Sequence, residues 1–239
     1  MIFNINPKAQ INALEIGDKK IPVIFIDSFL DAPDDLIKLA TDSSASFEKK
    51  TDTFYPGVRA QLPSEYVKTA VASVLNLIRQ TYGVPDNLTP CIAPSHFSLV
   101  TLSSEELKPV QKIPHIDSAR IYDFAVLLYL NPGSFGGTSF YRHKTTGFDL
   151  ISEAEASQYW ESVKAVVDNY ANVNRSYIRE DTNDFEKIGG ITYLPNRLVI
   201  YPGALLHSPD ISSNDINNDP KTGRLTANII ISFLPANGV

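Results

Sequence analysis

The chain has one cysteine, one tryptophan and one methionine among 239 residues. A single cysteine excludes a disulfide framework within the chain and a thiolate metal site, and it is typical of proteins in a reducing compartment. We expect Cys91 to be a small buried side chain. No apolar run approaches the length that crosses a bilayer, and the first nine residues lack the basic and apolar blocks of a signal peptide. We therefore expect a cytoplasmic protein with no membrane partner.

Positive charge is also scarce. The 21 Lys and Arg residues are outnumbered by 27 Asp and Glu residues, and the net charge is −6. No basic cluster is dense enough to follow a phosphate backbone, so a nucleic-acid partner is not expected. Apolar residues are plentiful at 43%, which is enough for a large core. We expect one domain over residues 1–239, with residues 1–90 as an N-terminal support and residues 91–234 as its core.

Three helices are predicted from apolar spacing and capping signals. Pro33, followed by acidic residues, is typical of a helix start. Apolar residues recur at intervals of three and four over residues 66–82 and predict an amphipathic helix. Ser152 and Glu155 form a capping-box signature, which predicts a third helix reaching about Tyr170.

Short strands are predicted from about residue 92 onward, where apolar residues alternate and turn signals separate the runs. Together with the preceding helices, these runs predict a mostly β sandwich or barrel with supporting helices. The predicted strands are residues 95–102, 114–118, 124–131, 138–142, 197–202 and 224–234.

Two longer segments interrupt the predicted strands. Residues 143–195 form a helical insertion, and residues 208–222 are rich in Ser, Asn and Asp and are predicted to be a polar loop. Long loops in otherwise regular domains often carry function, so both segments are candidate lids.

A histidine and an aspartate lie two positions apart in the second predicted strand. Because side chains alternate between faces along a strand, His115 and Asp117 would project from one face and could share one metal ion. His207 would be the third ligand. Two imidazoles and a carboxylate form a facial triad that leaves half of an octahedral ion open, which is typical of non-haem iron(II) oxygenases. Such a pair also occurs by chance, so the motif alone is weak.

The last predicted strand offers a binding site for a carboxylate. One face of residues 224–234 is wholly apolar, whereas the other begins with Arg224 and Thr226. The planar guanidinium of arginine binds a carboxylate in bidentate fashion, and Thr226 could add a hydroxyl bond on the same side. The same alternation makes Tyr129 a plausible second donor. Each of these residues alone has an ordinary structural explanation.

Three further residues could contribute to such a site. Arg59 and Arg120 could meet an acidic substrate, although an ordinary surface charge is the commoner role. His143 could line the mouth of a pocket, but we expect it to be exposed to solvent.

The order of these motifs resembles a known family. The series runs from His115-Ile116-Asp117 through the Tyr129-Leu130-Asn131 segment and Gly136-Gly137 to His207 and Gly223-Arg224. It resembles the prolyl-4-hydroxylase-like branch of the 2-oxoglutarate and Fe(II)-dependent oxygenases, over roughly residues 95–234. Residues 55–59 are also similar to an uncharacterised bacterial subgroup. The stretch between His207 and Arg224 is longer than is usual in the family.

The resemblance implies a double-stranded β-helix (jelly-roll) core with the N-terminal helices packed on one sheet. It implies that His115, Asp117 and His207 bind Fe(II), and that Arg224 and Tyr129 bind the C5 carboxylate of 2-oxoglutarate. Dioxygen would be the other co-substrate. The expected reaction is hydroxylation of a C–H bond in a small-molecule or peptide substrate, with release of succinate and CO2.

The carboxylate of Asp117 favours hydroxylation, because family halogenases have a small residue at that position. Two alternatives remain open: a jelly-roll metal-binding protein or sensor, and a cupin-type enzyme without 2-oxoglutarate turnover. Arg224 discriminates between these interpretations, since neither alternative needs a bidentate carboxylate anchor on the strand after His207.

Overall fold

Backbone hydrogen bonds group the strands into two antiparallel sheets. The computed structural model describes residues 2–42, 45–49, 55–171 and 176–236. Within these ranges the helices are α1 (Pro33–Thr41), α2 (Ser64–Tyr82) and α3 (Glu153–Ala171). The strands are β1 (Gln10–Ile16), β2 (Ile21–Asp27), β3 (Gly57–Gln61), β4 (Leu88–Ile92), β5 (His96–Val100), β6 (Asp123–Tyr129), β7 (Thr138–His143), β8 (Phe185–Ile191), β9 (Leu198–Pro202), β10 (His207–Pro209) and β11 (Leu225–Pro235).

The larger sheet has the order β1-β2-β9-β6-β11-β5-β3, and β4 also pairs with β11. The smaller sheet has the order β10-β7-β8. The mostly β class predicted from the sequence is confirmed, and two antiparallel sheets are consistent with a jelly-roll-like fold. The finer assignment, a double-stranded β-helix, stays a prediction.

Helices α1 and α2 share a core with one face of the larger sheet. The apolar stripe of α2, which includes Tyr66 and Val74, belongs to the same buried cluster as Val126 and Ile229 of the sheet. A fully buried aliphatic side chain contributes about 1.5–3 kcal/mol to stability, so this cluster is a large part of the folding free energy. The helix ends at Gly83, whose left-handed backbone (φ 63°) suits glycine at this position.

The opposite face of the larger sheet meets the smaller sheet. Because side chains alternate along β6, Ala125, Leu127 and Tyr129 point away from the helices. They share a second buried cluster with Phe140 of β7 and Tyr201 of β9. The space between the two sheets is therefore where inward-facing polar residues can meet.

Helix α3 covers the smaller sheet. One half of the predicted capping box is present: the backbone N–H of Ser152 donates to the carboxylate of Glu155 at 2.9 Å. The Ser152 hydroxyl donates to the same carboxylate, and the N–H of Glu155 donates to the backbone carbonyl of Ser152. Tyr159 and Val163 of α3 share a buried cluster with Tyr141 and Phe185 of the sheet. The segment predicted as a helical insertion therefore also supplies β8, which completes this sheet.

One predicted strand was wrong, and one predicted loop, residues 208–222, contains short regular elements. Residues 114–118 do not form a strand; they make one isolated bridge, between His115 and His207. The polar stretch before Arg224 contributes the short strand β10 and a 3-10 helix at Ser213–Asp215.

Two side chains also differ from expectation. Cys91 is exposed, because it lies on the edge strand β4, which pairs only with β11. His143 is fully buried, because the aromatic rings of Tyr159 and Phe185 enclose it. Within the described ranges, every helix is too short or too polar to span a bilayer.

Candidate active site

A cavity of about 790 Å³ opens between the two sheets. Strands of the larger sheet, the segment around His115, strand β10 and helix α3 all contribute to its lining. Its size falls in the range of small-molecule sites, which are mostly apolar with a few convergent polar groups. The predicted site residues that line it are His115, Asp117, His207, Arg224 and Thr226.

The three predicted metal ligands converge in this cavity. One candidate ligand atom from each of His115, Asp117 and His207 lies within 4.8 Å of the others. His115 and His207 are joined by two reciprocal backbone hydrogen bonds, of 2.8 and 2.9 Å. Their ring centroids are 4.4 Å apart. The convergence predicted from strand alternation is therefore achieved through a bridge between two short segments.

The tautomer of His207 follows from a neighbouring carbonyl. Nδ1 of His207 lies 2.7 Å from the backbone oxygen of Leu205, and an oxygen of this type only accepts, so Nδ1 carries the proton. The lone pair is then on Nε2, which lies 3.7 Å from the carboxylate of Asp117. Metal-binding histidines are commonly oriented in this way. His207 is 4% exposed, and its ring contacts that of Tyr201 at a centroid distance of 4.7 Å.

Asp117 is held in place by backbone hydrogen bonds of its own segment. Its N–H donates to the carbonyl of Gly203 at 2.8 Å, and the N–H of Gly203 donates to Asp123 at 2.7 Å. These bonds fix the segment that carries the carboxylate. Asp117 and His115 remain accessible from the cavity.

The imidazole of His115 is disfavoured as a cation. Desolvation by the surrounding protein, with a smaller contribution from the charge of His207, lowers the pKa of His115 to about 4. The negative charge of Asp117 raises the pKa of His115 and so opposes this shift. A neutral imidazole is the form that binds a metal ion.

Arg224 is buried and directed by two carbonyls. Its side chain donates from Nε to Gly136 at 2.7 Å and from Nη2 to Gly137 at 3.1 Å. Only 3% of Arg224 is exposed. Within the described ranges no carboxylate forms an ion pair with it.

The polar segment after His207 supports this arrangement. The carboxylate of Asp215 accepts from the N–H of Gly136 at 2.7 Å, and Ser139 donates to Asp210 at 2.7 Å. A Cβ atom on Gly136 would overlap the carbonyl of Asp210. Glycine is therefore required where this segment approaches the strand.

Asn131 fixes the residues just before Arg224. Its amide nitrogen donates to the carbonyls of Pro220 and Gly223, at 2.9 and 2.8 Å. Asn131 is 1% exposed. The sequence indicates Asn131 only as the last residue of the Tyr129-Leu130-Asn131 segment. Its positioning role depends on contacts with residues about ninety positions away, which a local pattern does not predict.

The two other predicted carboxylate donors already have partners. The hydroxyls of Tyr129 and Thr138 are 2.8 Å apart, and of these two residues only Thr138 lines the cavity. Thr226 lines the cavity and donates to Oδ1 of Asn228 at 2.7 Å. Their contact with a carboxylate stays a prediction.

Among the aromatic residues that line the cavity, four were not identified as site residues from the sequence: Tyr159, Trp160, Tyr177 and Tyr201. Tyr201 lies beside His207, and burial raises its pKa well above the ordinary value, so it stays a neutral phenol. Trp160 of α3 is half exposed at the cavity edge. Trp160 is the only tryptophan in the sequence, but its place at the cavity depends on how α3 packs, which the sequence does not show.

The donor set fits a divalent transition metal. Two imidazole nitrogens and one carboxylate are intermediate ligands that suit Fe(II) and leave coordination positions open. The fixed tautomer of His207 and the neutral state of His115 provide the required lone pairs. Iron therefore fits the residues that are present.

Three solved structures are similar to this chain at low identity. AviO1 from Streptomyces viridochromogenes is 11% identical, with a TM-score of 0.43, and the match covers 97% of this chain and 91% of that one. An N-substituted L-amino acid dioxygenase from Burkholderia ambifaria is 12% identical, with a TM-score of 0.40 and 94% coverage of both chains. Its complex with alpha-KG matches at 10% identity and a TM-score of 0.33, over 91% and 87% of the chains.

No curated protein matches this sequence. One family model does, and its match extends over residues 7–231, which is most of the chain. The chain therefore belongs to DUF6445, a family of unknown function.

Proposed function

We propose that this chain is an Fe(II)- and 2-oxoglutarate-dependent dioxygenase of the prolyl-4-hydroxylase-like branch, which hydroxylates a C–H bond. The observation that carries the proposal is the presence of the triad cluster and the buried guanidinium of Arg224 in one cavity. A site that only held a metal would not need a buried cation beside it.

The charge of Arg224 is the strongest support. A buried ion without a counter-ion is costly. Within the described ranges the hydrogen-bond acceptors of Arg224 are two carbonyl oxygens, and the ring centroids of Tyr129 and Tyr193 lie 5.6 and 5.9 Å from its guanidinium carbon. Arginine has five N–H donors, so three remain for another acceptor. A dicarboxylate whose far end binds here would offset the cost of burial.

In this proposal His115, Asp117 and His207 hold iron, which when bound supplies the activation of dioxygen. Arg224 holds the C5 carboxylate of 2-oxoglutarate, and the Tyr129–Thr138 hydroxyl pair and Thr226 complete the polar end of the site. The substrate R–H, dioxygen and 2-oxoglutarate give R–OH, succinate and CO2. One oxygen atom enters the product hydroxyl and the other enters succinate.

Helix α3 and its neighbours would keep water away from the reacting atoms. The apolar side chains of Ile113, Ile116 and Val167 line the cavity on that side. Exclusion of water protects reactive species from side reactions, which is the part of catalysis that the protein itself supplies.

Anaerobic addition of Fe(II) and 2-oxoglutarate tests the proposal. The expected result is the weak visible charge-transfer band of a chelate, and it should be absent from the double variant Asp117→Ala, His207→Ala. An equal band in that variant, or no band in the unaltered protein, would refute the assignment. A metal-binding protein or sensor without turnover would bind the metal but form no succinate from 2-oxoglutarate in air.

A further inference from the structure

A second arginine faces the same cavity. Arg59 lies on β3, is half-buried, and lines the cavity together with His115. Its guanidinium carbon is 4.6 Å from the ring centroid of Tyr55. The sequence favoured an ordinary surface charge here, and the structure places the side chain at the site instead.

The sheet register separates Arg59 from the residues around Arg224. Arg59 is opposite Ser98, and Ser98 is opposite Thr226. Directly opposite residues of antiparallel strands project from the same face, so Arg59 and Thr226 share the inner face. Two strand spacings lie between them, which is roughly 10 Å. The side chain of Arg59 therefore enters the cavity from a strand that lies two spacings away from the strand of Thr226.

The charge of Arg59 is not balanced within the described ranges. Its buried Nε has no hydrogen-bond partner, and no carboxylate there forms an ion pair with it. The two aspartates that line the cavity are engaged elsewhere. Asp117 faces His207, and Asp123 binds Arg120 at 2.8 Å. A bound anion would offset the cost of this buried, unpaired group.

The rest of the cavity surface indicates what else the ligand carries. Aromatic and aliphatic side chains dominate the lining away from the two arginines, and they favour an apolar body. They include Ile113, Ile116, Tyr159, Trp160 and Val167.

We propose that Arg59 binds the carboxylate of the substrate, and that the substrate is a small organic acid with an apolar or aromatic body. This inference rests on the proposed function and names the substrate class of the same site. Arg224 holds the co-substrate and Arg59 holds the substrate, so the two anions are kept apart along one sheet face.

A matched pair of probes tests the charge preference. We would titrate 3-phenylpropionate and its neutral amide, 3-phenylpropionamide, anaerobically with Fe(II) and saturating 2-oxoglutarate. The fluorescence of Trp160, the only tryptophan, reports on the cavity. The acid should bind at least about tenfold more tightly than the amide, as expected for one charge-assisted hydrogen bond.

Substitutions of Arg59 test whether this residue causes the preference for the acid over the amide. Arg59→Gln should abolish it and Arg59→Lys should keep part of it. Arg179→Gln removes an exposed arginine and should behave like the unaltered protein. Equal binding of acid and amide by the unaltered protein, no binding of the acid at millimolar concentration, or a preference that survives Arg59→Gln would overturn the proposal.

A second measurement distinguishes the proposed role of Arg59 from the proposed oxygenase function. Titration of the Fe(II) charge-transfer band with 2-oxoglutarate should give the same affinity in Arg59→Gln as in the unaltered protein. A loss as large as that in Arg224→Gln would make Arg59 a co-substrate anchor and overturn the inference. If the band never forms, the proposed oxygenase fails. The acid and amide titration, repeated without iron, would then still support or overturn an anion site at Arg59.

Discussion

Nε of Arg224 donates a 2.7 Å hydrogen bond to the backbone carbonyl of Gly136. Nη2 donates a second one to the next carbonyl, that of Gly137. A Cβ atom on either glycine would overlap a carbonyl oxygen, of Asp210 or of Ile191. The direction of the guanidinium therefore depends on a backbone path that only glycine permits.

Substitution of Gly136 by alanine should disturb this path. Gly136→Ala should weaken 2-oxoglutarate binding about tenfold or more, because one charge-assisted bond to Arg224 is lost. Isothermal titration of the iron-loaded protein measures this. The control Gly83→Ala should cost about 1 kcal/mol of stability for its left-handed backbone but leave the affinity unchanged. A folded Gly136→Ala protein with unaltered affinity would contradict the role of the glycine pair.

Removal of the Asn131 amide should destabilise the approach to Arg224. Asn131→Ala leaves the carbonyls of Pro220 and Gly223 without their donor, at a cost of about 1–3 kcal/mol. Urea unfolding measures the change. Asn12→Ala, on the exposed strand β1, should shift stability by less than about 0.5 kcal/mol. Equal effects in the two variants would show that the buried amide contributes nothing.

Metal binding should stabilise the protein through the triad. A ligand that binds only the folded state adds about 2.7 kcal/mol at a concentration one hundred times its dissociation constant. Anaerobic Fe(II) should therefore raise Tm, and EDTA should reverse the rise. His207→Ala should lose the response. His96→Ala, which alters a cavity histidine outside the triad, should retain it; loss of the response in both variants would place the ion elsewhere.

The charge state of His115 predicts a pH dependence of the metal-free protein. The folded-state pKa of His115 is lowered to about 4 from an ordinary value of 6.5. Between about pH 4 and pH 6.5 the unfolded chain binds more protons at His115 than the folded protein does. The stability that the neutral imidazole contributes is therefore fully present above pH 6.5 and falls as the pH drops towards about 4. Nuclear magnetic resonance of the four histidines can follow this, with His115→Gln identifying the signal. A midpoint above about pH 6 would contradict the shift.

Much of the fold could be predicted because its signals are local. The apolar stripe of α2, the capping box of α3 and the apolar runs of β6 and β9 each depend on neighbours within a few residues. Strands β1 and β8 are among the six strands that were not predicted, and both lack a sustained apolar alternation. One is almost wholly exposed, and the other contains a glycine pair.

The candidate ligands were also found from the sequence, although for a partly wrong reason. Strand alternation predicted that His115 and Asp117 share a face, but the segment forms only one bridge. The ligands converge because His207 pairs with His115 and Gly203 accepts from Asp117. These contacts join segments that are far apart in the chain, so the pattern of residues within one segment does not predict them.

The amino-acid sequence indicated the three helices, five of the eleven strands within the described ranges, the order of the candidate ligands and an arginine that follows them. Which of the charged side chains are buried and unpaired follows from the packing of the two sheets. Arg59 was indistinguishable from a surface cation until strand register placed it on the inner face with Thr226. Burial and pairing depend on the packing of segments that are distant in the chain. The free-energy cost of burying a charged side chain, and the ligand that would offset this cost, can therefore be inferred only from the assembled sheets.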